Sequence, residues 1–130
     1  IVERDQMAAQ ECITSFSAFQ RLYPKSDKKK EAESNISRAR EFLVGKQLTV
    51  GKYYLKRNNP AAAMRRFKKI RETTKVSKFL PEVSYRLIES FLLVGLFSEA
   101  LSEKMYMRKK FPNSSWTVEA GSLIDKSGLN

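Results

Sequence analysis

Apolar residues recur at three- and four-residue steps along nearly the whole chain, the spacing that lines one face of an α-helix. Elements are therefore delimited by start and stop signals rather than by periodicity alone. A first helix is predicted over about 2–22, with Ala8, Cys12, Phe16, Phe19 and Leu22 on one stripe. Tyr23-Pro24-Lys25-Ser26 ends it, because proline cannot continue a helix. Residues 27–57 hold no proline and only two glycines, with Ile36, Ala39, Leu43, Val50 and Tyr54 roughly in phase. This reads as one long helix in which Gly45 is the place for a bend. Asn58-Asn59-Pro60 supplies a turn, with Asn59 as N-cap and Pro60 at the first helical position, where its missing N–H costs nothing. A helix over 60–73 turns Ala63, Phe67 and Ile70 inward. The next, over 81–94, carries Val83, Leu87, Phe91 and Val94, and Gly95 suits the left-handed residue that closes it. Helices over 98–110, with Ala100, Leu101, Met105 and Met107 for packing, and over 115–124 complete the reading.

A fixed period in a helical chain is the mark of stacked helix pairs. Asn58-Asn59-Pro60-Ala61-Ala62-Ala63 corresponds to Gly95-Leu96-Phe97-Ser98-Glu99-Ala100 at an offset of 37, near the ~34-residue tetratricopeptide period. The stop Tyr23-Pro24-Lys25-Ser26 recurs 88 residues later as Phe111-Pro112-Asn113-Ser114, and Glu11-Cys12-Ile13 then falls on Glu99-Ala100-Leu101. A long helix over 27–57 accounts for the excess of 88 over two repeats. The small residues Cys12, Ala63 and Ala100 mark places where paired helices approach closely. The expected fold is all-α, an α-solenoid of tetratricopeptide-like antiparallel helix pairs with one extended helix, read as a single domain over 1–130.

Composition narrows the function. A chain of 130 residues with 42% hydrophobic content can bury a core without disulfides or metal. With no His and one Cys, metal centres built on imidazole and thiolate have no ligands, and the commonest general base is missing. No cofactor is expected, and an enzyme is disfavoured. The longest apolar run, Phe91-Leu92-Leu93-Val94, is far short of the ~20 residues that span a bilayer. The chain begins at Ile1 with no Met and no leader pattern, so it is expected to be a fragment or a processed product.

Several of these segments together resemble the BamD (ComL) family, tetratricopeptide lipoproteins of the bacterial outer-membrane β-barrel assembly machine. The narrowest match is the helix end Gly51-Lys52-Tyr53-Tyr54-Leu55-Lys56-Arg57, within a similarity starting at Arg38, joined to Ala61-Ala62-Ala63-Met64-Arg65-Arg66-Phe67. Pro81-Glu82-Val83-Ser84-Tyr85-Arg86-Leu87, the Gly95 turn and Phe111-Pro112-Asn113-Ser114-Ser115-Trp116 agree with it. The middle stop departs: Thr73-Thr74-Lys75-Val76-Ser77 stands where the family often has a Tyr-Pro-Asp-Thr type of turn, and a looser turn is expected there. The resemblance implies a carboxy-terminal half, with the lipidated Cys and amino-terminal repeats upstream. It also implies a scaffold on the periplasmic side of the outer membrane that docks on the POTRA domains of BamA. Other Bam lipoproteins are further implied partners, unfolded outer-membrane proteins would be met through the missing half, and the only membrane attachment would be the lipid anchor.

The basic clusters Lys28-Lys29-Lys30, Arg65-Arg66 with Lys68-Lys69, and Arg108-Lys109-Lys110 make up much of the net charge of +11. Such charge can steer nucleic acid, acidic protein or anionic lipid, or can be a solvated helix face. Most aromatics fall on apolar stripes, so no stacking surface for nucleic acid is evident, and no nucleic-acid partner is expected. Arg65, Arg66 and Lys69 are expected to point away from the packed face. Under the resemblance, Arg66 is the first choice for a charge pair with a partner carboxylate, with Arg65, Lys69 and Tyr53 beside it; an Arg fork on a carboxylate is the strong form of such a contact. Tyr54 and Trp116 are read as packing residues and Cys12 as a small buried one. Two alternatives stand: another periplasmic tetratricopeptide adaptor, and a basic helical nucleic-acid-binding domain, which the charge alone favours and the repeat pattern opposes.

Overall fold

The computed structural model describes residues 2–129, with side chains from residue 4 onward. The helices are α1 (Val2–Leu22), α2 (Lys29–Lys56), α3 (Pro60–Thr73), α4 (Leu80–Val94), α5 (Phe97–Lys110) and α6 (Ser115–Lys126), and there is no strand among the described residues. None of these helices is long and apolar enough to cross a membrane. The fold class is all-α, built from consecutive helix pairs of tetratricopeptide type. The chain divides into two compact units, residues 1–46 and 47–130.

In the first unit, Ala32, Ile36 and Ala39 bury one face of α2. Along α1 the expected stripe is only partly covered: Cys12, Phe16 and Phe19 are half-buried, whereas Ala8 is exposed and Leu22 is 68% exposed. Cys12 is a free thiol, less enclosed than the reading anticipated.

The second unit holds the main core. There α3 packs on α4, and α4 packs on α5 and α6, which also touch each other. Ala63, Phe67, Val83, Ile88, Ala100, Met107, Ala120 and Ile124 are wholly enclosed. Residues 51, 63 and 100 are small for a reason of packing. A Cβ placed on Gly51 would meet the buried Phe67 ring, with Cζ at 2.7 Å and Cδ1 at 2.9 Å. One expectation is corrected on α5. Met105 is 70% exposed, and the inward positions are Ala100, Glu103 and Met107. A charged residue faces the core there because α3 supplies its counter-ion.

Helix ends repeat with the periods seen in the sequence. Asn58 (φ 57°) and Gly95 (φ 84°), 37 apart, both take the left-handed conformation. Each lets the next N–H reach back five residues, Asn59 to the Tyr54 carbonyl at 2.9 Å and Leu96 to that of Phe91 at 2.8 Å. Gly128 (φ 82°), 33 further on, does the same, with Leu129 bonding Ile124 at 3.3 Å. The turns repeat as well: Ser26 Oγ accepts from Lys28 N–H at 3.1 Å and Ser114 Oγ from Trp116 N–H at 3.2 Å. Ser77 Oγ accepts from Phe79 N–H at 3.1 Å in the same manner, so the middle stop, where a looser turn is expected from the sequence, keeps the serine-centred turn. Asn59 caps α3 by accepting from Ala62 N–H at 3.2 Å.

Candidate protein-docking surface

The residues singled out from sequence lie on α3 and at the end of α2, both within the second unit. Burial of Ala63, Phe67 and Ile70 orients α3, and this leaves Arg65, Lys68 and Lys69 exposed. Neither Arg65 nor Lys69 pairs with a carboxylate among the described residues. On α2, Tyr53 is 50% exposed, with the Arg57 guanidinium 5.1 Å from its ring centre and the Tyr54 ring edge-on at 5.9 Å.

Arg66 differs from its neighbours. It is half-buried, its Nη1 donates to Gln47 Oε1 at 3.0 Å, and its guanidinium lies 5.9 Å from the Tyr54 ring centre. The expectation that Arg66 points away from the packed face is corrected: its position one residue before Phe67 lets the long side chain cross to α2. Arg66, Tyr54 and Tyr53 thus form one polar and aromatic cluster, and Arg65 and Lys69 stand as separate exposed charges.

Two further charged groups escaped the sequence reading. Glu82 accepts from Lys52 Nζ at 3.0 Å and from Arg86 Nε at 3.1 Å, while Arg86 Nη1 donates to Glu89 at 2.7 Å. Arg86 also lies 5.4 Å from the Trp116 ring centre, and Trp116 lies 5.2 Å from Tyr85. Burial alone would lower the pKa of Arg86, but the bonds to Glu89 and Glu82 outweigh it and hold the group above its ordinary value. Burial and the neighbouring Glu89 raise the Tyr85 hydroxyl. The network ties α2 to α4 and α4 to α6. The i, i+4 spacing of Glu82 and Arg86 was its one visible signal.

The second group is the pair of half-buried Arg71 and buried Glu103. Arg71 Nε stands 2.8 Å from Glu103 Oε2, an ion pair that joins α3 to α5. The guanidinium is stacked 3.6 Å from the Tyr106 ring centre. Burial raises the Glu103 carboxyl above the usual carboxylate range, against the opposing effects of Ser84 and Arg71.

Relatives place this arrangement in a family. The family model of YfiO, an outer membrane lipoprotein, matches residues 1–97. The chain is 31% identical over 128 residues to outer membrane protein assembly factor BamD of Caulobacter vibrioides, covering 98% of this chain and 42% of that one. It is 29% identical over 123 residues to outer membrane protein assembly factor BamD of Rickettsia prowazekii, covering 95% of this chain and 49% of that one. The chain therefore spans less than half the length of these relatives. With three-quarters of its residues inside the family match and its helix pairs and turns repeating as described, this chain belongs to the YfiO outer membrane lipoprotein family.

Proposed function

We propose that this chain is a non-catalytic scaffold in outer-membrane protein assembly, working on the periplasmic side of the outer membrane and docking on the POTRA domains of BamA. Its docking face is the exposed side of α3 with the end of α2: Arg66 at the centre, flanked by Arg65, Lys69 and Tyr53. The observation that carries the choice of face is the exposure of Arg65 and Lys69 without carboxylate partners among the described residues, beside a half-exposed tyrosine. Unpaired cations next to an aromatic suit an acidic partner surface, because Tyr and Arg concentrate binding energy when desolvated. The names of the relatives, both assembly factors, supply the process.

The test is binding of the chain to purified POTRA domains, with Arg66→Glu and the double variant Arg65→Glu/Lys69→Glu beside the parent. Both variants are expected to bind at least tenfold more weakly, about 1.4 kcal/mol. The double variant matters because Arg66→Glu also breaks the bond to Gln47. Equal binding by the double variant removes Arg65 and Lys69 from the interface, and equal binding by both variants means that the face is wrong. A parent that does not bind overturns the docking itself.

A further inference from the structure

A cleft of roughly 330 Å³ in the second unit is lined by Arg71, Thr74, Lys75, Leu80, Ser84, Tyr106, Lys110 and Phe111. It lies where α3 and α5 end and α4 begins, and none of its lining residues belongs to the proposed docking face. Three of its lining residues are cations. Arg71 is held between Tyr106 and Glu103, whereas Lys75 and Lys110 are exposed and have no carboxylate partner among the described residues. Leu80, Tyr106 and Phe111 form apolar and aromatic wall, with Tyr106 edge-on to Phe111 at 6.0 Å.

Electrostatics selects the occupant. Against three positive charges and the N-terminal end of α4 stand Glu103 and the C-terminal ends of α3 and α5, each helix end worth about half a charge. Between about one and two positive charges are left, too few for a polyanionic backbone; between a carboxylate and a phosphate, the apolar wall of Leu80 and Phe111 selects a carboxylate that brings an apolar neighbour. The volume, near the lower end of ligand sites, accommodates one or two side chains. The last turns of α3 and α5 also leave carbonyls without intrahelical partners, which suits the N–H groups a peptide brings and a free ion lacks. The apolar wall likewise has no use for a bare anion.

We propose that this cleft binds a short peptide segment of a partner protein through one Asp or Glu carboxylate flanked by an apolar residue. Arg71 receives the carboxylate, with its guanidinium preset by the Tyr106 ring; Lys75 and Lys110 close over it, and Leu80 and Phe111 take the apolar neighbour. The proposal does not depend on docking through Arg66, and no BamA is needed to test it.

The probe is a fluorescent, end-blocked heptapeptide Ser-Gly-Phe-Asp-Leu-Gly-Ser, compared with its Asn analogue by anisotropy on the full chain. The Asp peptide is expected to bind, the Asn analogue at least tenfold more weakly, and the Lys75→Gln/Lys110→Gln variant at least tenfold more weakly than the parent. Both lysines are exposed, so the variant should keep its helical circular dichroism, which reports on folding independently. Inorganic phosphate should displace the peptide no more than sodium chloride of equal ionic strength. No binding up to millimolar concentration, equal binding of the Asn analogue, an unaffected double variant, or displacement specific to phosphate would each overturn the proposal.

Discussion

Gly51 and Gly121 sit in helical segments and differ in what a methyl group would meet. At Gly51 an added Cβ falls on the ring of Phe67, at 2.7 Å from Cζ and 2.9 Å from Cδ1, whereas at Gly121 nothing lies within 4 Å. Phe67 is wholly enclosed, so its ring cannot move into solvent to make room. Both substitutions to alanine gain helix propensity, up to about 1 kcal/mol. At Gly51 that gain is opposed by overpacking, typically about 1–3 kcal/mol. Gly121→Ala should therefore stabilise by about 0.5–1 kcal/mol, while Gly51→Ala ranges from neutral to about 2 kcal/mol destabilising. The difference between the two variants is the diagnostic quantity. Urea unfolding followed by circular dichroism reads it as a separation of about 1–3 kcal/mol, since the backbone effect cancels. Because the ring is the obstacle, Phe67→Leu should cost clearly less in the Gly51→Ala background than in the parent, so the two effects are non-additive. Gly51→Ala stabilising as much as Gly121→Ala would refute the close approach of α2 and α3.

Two other outcomes follow from local geometry and from charge. Gly95→Ala, forced to hold φ 84°, should cost about 1–2 kcal/mol by thermal or urea unfolding, and a cost below a few tenths would mean that the left-handed helix end is dispensable. Glu103→Gln tests the buried carboxyl: with its native pKa raised above the ordinary 4.5, the protonated form is favoured by folding, so the parent loses stability as pH rises from 4.5 through that native pKa. The glutamine variant lacks this loss. Its stability relative to the parent should therefore be greater at pH 7 than at pH 4, and a relative stability that falls over that window would show the carboxylate to be favoured in the fold.

Much of this molecule is set by short-range chemistry and was therefore legible in the chain. Pro60 after Asn59, the glycine at 95 and the serines of the turns act on their own backbone within a few residues, and the offsets of 37 and 88 reappear as matching hydrogen bonds. Even the middle stop, read as a departure, keeps the serine turn, because that turn needs only the hydroxyl of Ser77 and not the residues before it. What periodicity could not reveal is which of several competing faces each helix buries. Met105 is apolar and in phase, yet exposed, while the charged Glu103 turns inward, because the choice depends on Arg71 arriving from another helix at 2.8 Å. Arg66 likewise reaches back to Gln47, and Gly51 is required only by the ring of Phe67. Helix start, stop and repeat are written in local capping and steric preferences. The pairing of charges, the position of α2 against α3 and the cationic cleft exist only once helices distant in sequence are brought together, so the tertiary structure decided them.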